Sequence, residues 1–247
     1  MKKVLILSLL FLFSCTTAPI SGRRQLITVS SQEEQTLGLQ SFQQIVNQSK
    51  VIKGTPAANQ VTRVGQNLAK HIDANYAWEF VLIDDKQINA FCLPGGKVAV
   101  YSGILSVTQD DDGMAVVMGH EIAHALARHG AERMSQDSLI NLGGQLLGLG
   151  TGSNAVTAAY GLVSNYGVAL PFNRKQESEA DYIGLIIMSK SGYDPRKAVG
   201  FWQRMSSAGG GKTPQFLSTH PSDSTRIADI QKHMSEAMMY YTASAKK

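Results

Sequence analysis

Cysteine is nearly absent from this chain of 247 residues, occurring only as Cys15 and Cys92. If Cys15 is used as argued below, Cys92 has no partner and no intramolecular disulfide staples the fold. Aromatic residues make up 7% of the chain, and no run of Lys and Arg is interleaved with them. That removes the usual signature of a nucleic-acid surface. The net charge of +4 includes Lys2 and Lys3, which lie in a segment expected to be cleaved, so the mature chain is close to neutral. No apolar run reaches the roughly 20 residues that a membrane-spanning helix needs. No repeat with a period of about 20–50 residues marks an appended helical array. Charge is also missing between Ser138 and Asn173. Gly, Ser, Asn and Gln interrupt that stretch, so it reads as a mobile or buried helical hairpin beside the site.

What is present suffices for one sizeable core, with 43% hydrophobic and 17% charged residues. Met1-Lys2-Lys3 gives a positive start and Val4 to Phe13 an apolar stretch of signal-peptide length. The string Leu12-Phe13-Ser14-Cys15 resembles a bacterial lipobox. The expectation is a signal peptide over 1–14, a lipid on Cys15 holding the chain to a membrane, a tether over 15–30 and a single domain over 31–247. Thr16 stands where inner-membrane retention of Gram-negative lipoproteins requires Asp. The expected address is therefore the periplasmic face of the outer membrane of a Gram-negative bacterium.

Periodicity predicts an α+β fold, mostly helical. Ser31-Gln32-Glu33-Glu34 has capping-box spacing, and Leu37, Phe42, Ile45 and Val46 follow at helical intervals. Thr55-Pro56 reads as the cap and first position of a second helix, with Val61, Val64, Leu68 and Ile72 as its buried stripe. Then the period changes. Segments 78–83, 88–93 and 97–104 are rich in β-branched and aromatic residues, and Pro94-Gly95-Gly96 turns the chain between the last two. They predict a small antiparallel sheet with 97–104 as a candidate edge strand. Asp110 to Asp112 favour a helix start, and one helix is expected from there to about Arg133. Further helices are expected from Arg174 to Met188, after Pro195, and from about Asp223.

The decisive string is His120-Glu121-Ile122-Ala123-His124. Residues four apart share one helical face, so both imidazoles can reach one ion, with Glu121 beside them as a proton acceptor. Met114, Val116, Val117, Met118, Ile122, Ala123 and Leu126 make that helix apolar on most sides, and imidazoles buried there need a partner. A catalytic zinc takes three protein ligands. Glu177-Ser178-Glu179-Ala180-Asp181 offers the third. Glu177 as ligand and Asp181 as the acceptor orienting a ligand histidine share one face. Glu179 is the alternative ligand and otherwise reads as a solvated charge. His129 and Arg128 read as structural residues at a helix C-terminus. Arg226 is a candidate for stabilising an oxyanion, with a surface arginine as the plain alternative.

With the H-E-x-x-H helix, Leu170-Pro171-Phe172-Asn173-Arg174 and E-x-E-A-D in view, the chain resembles peptidase family M48, and its periplasmic lipoprotein members most of all. Asn89 to Gly96, Ser21-Gly22-Arg23-Arg24-Gln25-Leu26 and Ser218-Thr219-His220-Pro221 fit the same family. The resemblance implies a gluzincin-type fold, one zinc ion per chain held by His120, His124 and Glu177, the base at Glu121 and Asp181 behind the ligands. It also implies a role for His220 as a fourth ligand or latency switch.

The expected function is a zinc-dependent endopeptidase of the bacterial envelope acting on unfolded or damaged polypeptides, with outer-membrane assembly machinery as a possible partner and no nucleic acid. The competing reading is an envelope chaperone or assembly factor whose zinc is structural. A structural site has no use for Glu121.

Overall fold

Local chemistry closes the helix ends in the computed structural model, which describes residues 15–151, 170–209, 213–220 and 225–244. Ser30 caps helix α1 (Ser31–Gln48) by accepting from the Glu33 N–H at 3.2 Å, one residue earlier than the capping-box spacing predicts. Thr55 caps α2 (Pro56–Ala69), whose first residue is the expected proline. Val61, Val64 and Leu68 on α2 are fully buried.

Between and after these helices lie β3 (Val51–Ile52), β4 (Glu79–Ile83), β5 (Ala90–Leu93) and β6 (Lys97–Tyr101), in the order β3-β4-β6-β5. The β5–β6 hairpin is antiparallel, as its Pro-Gly-Gly turn requires, but β4 lies parallel to β6. The sheet is therefore mixed, and the 97–104 segment is not an edge. Its strand β6 is central, because β4 pairs on its far side, and β5 takes the edge. Gly95 and Gly96 sit at φ +83° and +80°, the left-handed region that glycine reaches without strain.

Asp110 caps α4 (Asp111–Leu126) through the Gly113 N–H at 2.8 Å. Every residue of α4 from Gly113 to Leu126 is buried. A short α3 (Leu105–Thr108) precedes it, and α5 (His129–Thr151) follows. The expected single helix to Arg133 is thus two helices, broken at Arg128, whose φ is +52°. Arg128 is held there by its Nε donating to Glu34 at 2.6 Å and by Nη2 donating to the Val29 carbonyl at 2.8 Å. The uncharged 138–173 stretch contributes the last turns of α5 and the start of α6 (Leu170–Lys190); 152–169 lie outside the described residues. The chain finishes with α7 (Lys197–Ser207), α8 (Gln215–Thr219) and α9 (Arg226–Ser244). Helices α4 and α6 pack against each other at the centre of the molecule, with α2, α7 and β5 around α4 and α9 against α6.

Segment 15–30, expected as a tether, is folded onto this body. β1 (Cys15–Thr17) and β2 (Arg24–Leu26) pair antiparallel, Cys15 opposite Leu26, and Ala18, Gln25 and Ile27 are buried. The segment ahead of Cys15, expected to be a signal peptide, lies outside the described residues. Among the described residues no helix is long and apolar enough to cross a membrane.

Candidate metal centre

Helix α4 stacks His120 and His124 one turn apart, and α6 brings Glu177 against both. The two Nε2 atoms are 3.1 Å apart. Glu177 Oε2 lies 3.4 Å from His120 Nε2 and Oε1 3.4 Å from His124 Nε2. His220, at the end of α8, completes a group of four whose ligand atoms all fall within 4.8 Å of one another. A tetrahedral ion about 2.0–2.1 Å from each donor would hold such atoms roughly 3.3 Å apart. The donor set therefore fits one small cation.

The surrounding hydrogen bonds agree. Asp181 Oδ1 accepts from His120 Nδ1 at 2.9 Å, which fixes the ring with Nε2 turned to the cluster. Burial alone would lower the His120 pKa, but Asp181 and Glu177 push it up to about 9. His124 goes the other way, well below its ordinary value, through burial and then the neighbouring histidines His120, His129 and His220. Burial works against the Glu177 carboxylate as well, but His120, His220 and Arg226 hold it below the usual range. The pocket thus favours one positive charge among two imidazoles and a carboxylate.

Glu121 is 3% exposed and its Oε1 has no hydrogen-bond partner. His220 Nε2 lies 3.5 Å from that oxygen. Burial pushes the Glu121 carboxyl up, against the pull of His220, His120 and the Cys92 backbone on edge strand β5. A buried carboxyl of raised pKa beside a cation site suits a group that takes up and releases a proton. Arg226 is 3% exposed, so it is no surface arginine. Its Nε donates to Asp181 at 2.7 Å and Nη2 to Glu177 at 3.0 Å, while the guanidinium lies 4.1 Å from the Trp202 ring centroid. Nη1 is buried without a partner.

Glu179 departs from the sequence reading. It is 8% exposed rather than solvated, and it faces away from the cluster of four. Its Oε2 accepts from His129 Nε2 at 3.0 Å and from Arg23 Nε at 2.5 Å, and Ser21 Oγ donates to Oε1. Burial opposes the charge, but these three donors hold the Glu179 carboxyl below its ordinary value. His129 in turn places Nδ1 2.9 Å from His124 Nδ1. No local pattern announced this set, because its members come from the β1–β2 turn, α5 and α6.

An H-E-x-x-H helix, a carboxylate from a second helix and a free buried carboxyl between them define a metallopeptidase built on a helical body with a small sheet. A model of the family described as Peptidase family M48 matches residues 56–234. The chain belongs to that family and is a metalloendopeptidase. It is 36% identical to the mitochondrial metalloendopeptidase OMA1 of Schizosaccharomyces pombe (strain 972 / ATCC 24843) over 90% of this chain and 67% of that protein. Identity to the OMA1 of Saccharomyces cerevisiae (strain ATCC 204508 / S288c) is 34% over 96% of this chain and 74% of the relative. To the beta-barrel assembly-enhancing protease of Escherichia coli (strain K12) it is 27% over 92% of this chain, which spans about half (49%) of that protein. These similarities overturn the expected address. The relatives at 36% and 34% are mitochondrial and the bacterial protease stands at 27%, which points away from the outer membrane of a Gram-negative cell.

Proposed function

We propose that the chain cleaves polypeptides with one zinc ion held by His120, His124 and Glu177, and with Glu121 as general acid–base. The observation that carries this reading is the position of Glu121: a buried carboxyl with a free oxygen beside three converging ligand atoms. When bound, zinc supplies Lewis acidity, polarising the scissile carbonyl and easing ionisation of the attacking water. Glu121 takes the proton of that water and returns it to the leaving amine, so one carboxyl serves both halves of the reaction. Asp181 fixes the ring of His120, and Arg226 holds Asp181 and Glu177 in place. His220 completes the group of four and is placed to serve as a fourth ligand, an arrangement that would suit a latent enzyme.

Strand β5 is the sheet edge beside α4, and its Cys92 backbone reaches Glu121. An extended polypeptide adding to that edge by main-chain hydrogen bonds would be read with little regard to sequence, which suits unfolded or damaged substrates. A chaperone with a purely structural metal would leave Glu121 without a task. Glu121→Gln tests the assignment. Cleavage of casein should fall by about 10²–10⁴-fold, the usual contribution of a positioned acid–base group, with zinc still bound. Retained cleavage removes Glu121 from the role.

A further inference from the structure

His124 and His120 receive different support. His120 donates directly to a carboxylate, Asp181. His124 meets another imidazole: its Nδ1 is 2.9 Å from His129 Nδ1, and His129 Nε2 is 3.0 Å from Glu179 Oε2. His129 is completely buried, so water does not compete for its ring nitrogens. Two facing Nδ1 atoms share one proton. If His124 turns its Nε2 lone pair to an ion, that proton sits on His124. His129 then accepts at Nδ1, carries its own proton on Nε2 and gives it to Glu179. Only one tautomer of each ring satisfies the chain.

The break at Arg128 creates this contact. In a continuous helix, residues five apart differ by about 140° in direction and about 7.5 Å in height, so His129 would face away from His124. The left-handed Arg128, tied to Glu34 and Val29, turns α5 back instead. Glu179 is then anchored from outside the family-matched region. Arg23 bridges Glu179 and Glu132, with Nη1 and Nη2 at 2.7 and 2.6 Å from the Glu132 oxygens, and Gln25 reaches Glu132 at 3.2 Å.

We infer that His129, Glu179 and Arg23 form a relay that positions His124 for metal binding, so that the β1–β2 ribbon is part of the support of the site. His129 is a positioning residue; it does not touch the metal. The inference rests on the zinc reading above. A buried polar cluster that merely fastened the ribbon to the body would show no link to metal affinity.

The test uses the full chain and competition with a chromophoric chelator for zinc. His129→Phe removes both hydrogen bonds. His129→Gln keeps an acceptor for His124 and a donor for Glu179. Loss of a partner behind a ligand costs about 10–100-fold in metal affinity, so His129→Phe should weaken zinc by that factor and His129→Gln should restore most of it. Arg23→Gln should weaken zinc to a smaller extent. Nitrogen-15 NMR of the zinc-loaded wild type covers the case in which His129→Phe does not fold: His129 should be neutral with its proton on Nε2. A proton on Nδ1 of His129, or a folded His129→Phe chain binding zinc as tightly as wild type, overturns the relay alone. A wild-type chain that binds no zinc sinks the metal reading and the relay together.

Discussion

Gly119 and Gly184 meet where α4 crosses α6, so closely that a methyl group on Gly184 would stand 2.8 Å from both the Gly119 carbonyl carbon and the His120 backbone nitrogen. Both obstacles are backbone, which cannot rotate away. This crossing brings Glu177, two helical turns before Gly184, against His120 and His124. Gly184→Ala should force the helices apart at a cost of about 1–3 kcal/mol, or a fall in Tm of about 2–12 °C for a chain of this size. Zinc affinity should weaken with it. Gly150, in α5, where an added methyl group would meet no neighbour within 4 Å outside its own helix backbone, is the control. There the change to Ala should be neutral or raise stability by about 0.5–1 kcal/mol. Equal melting temperatures for Gly184→Ala and wild type would show that the crossing is looser than described.

Asp181 stands between an imidazole and a guanidinium, accepting from His120 on one side and from Arg226 on the other. Asp181→Asn can satisfy only one of them, because its NH2 group must face a second donor. Zinc affinity, read by chelator competition, should fall about 10–100-fold. Arg226→Met leaves Asp181 and Glu177 buried without their counter-charge and should cost about 3–5 kcal/mol in denaturant unfolding. An unchanged midpoint would mean that other groups neutralise the pair.

The sequence displayed those parts of the site that lie within single regular helices. His120 with His124, and Glu177 with Asp181, are each four apart, and helical geometry alone puts each pair on one face. Glu179 shows the limit of that reasoning. Its place off the Glu177 face was legible, but whether that other face met water or protein depended on Arg23, 156 positions away. The helix break at Arg128 was equally hidden, since a non-glycine residue at φ +52° is held by the tertiary contacts to Glu34 and Val29 rather than by its neighbours. Strand direction failed for a related reason. A hairpin announces itself through its turn, whereas the parallel pairing of β4 with β6 has no local mark.

Cys92 is half-buried on β5. Burial, then the charge of Glu121, pushes its thiol well above the ordinary 9.0. The folded chain therefore keeps Cys92 protonated where an unfolded chain ionises it. Alkylation by iodoacetamide at pH 8 should be at least about tenfold slower in the folded protein than in guanidinium, since the thiolate is the nucleophile. The linked effect on stability has a definite sign. With the folded pKa above the unfolded one, the contribution is complete below pH 9 and fades as pH rises towards the folded value. Cys92→Ala should remove that alkaline slope. Equal alkylation rates in the two states would place the sulfur in contact with water.

His220 closes the cluster, and its position makes two opposed predictions separable. Its imidazole stacks on Phe216 with centroids 4.6 Å apart, and its Nε2 is 3.5 Å from Glu121 Oε1. Both the face of the cluster between His120, His124 and Glu177 and the free carboxyl oxygen are thus screened by one side chain at the end of a five-residue helix, α8. As a latch, His220 competes with substrate for that face. His220→Ala should then raise casein cleavage while making zinc easier to strip, because a ligand is lost as the site opens. As a participant in the reaction, it would have to be present for turnover, and the same substitution would lower cleavage with zinc affinity unchanged. Measuring both quantities on one preparation decides between them, since the latch raises cleavage and loosens the metal whereas the participant lowers cleavage and leaves the metal as tight.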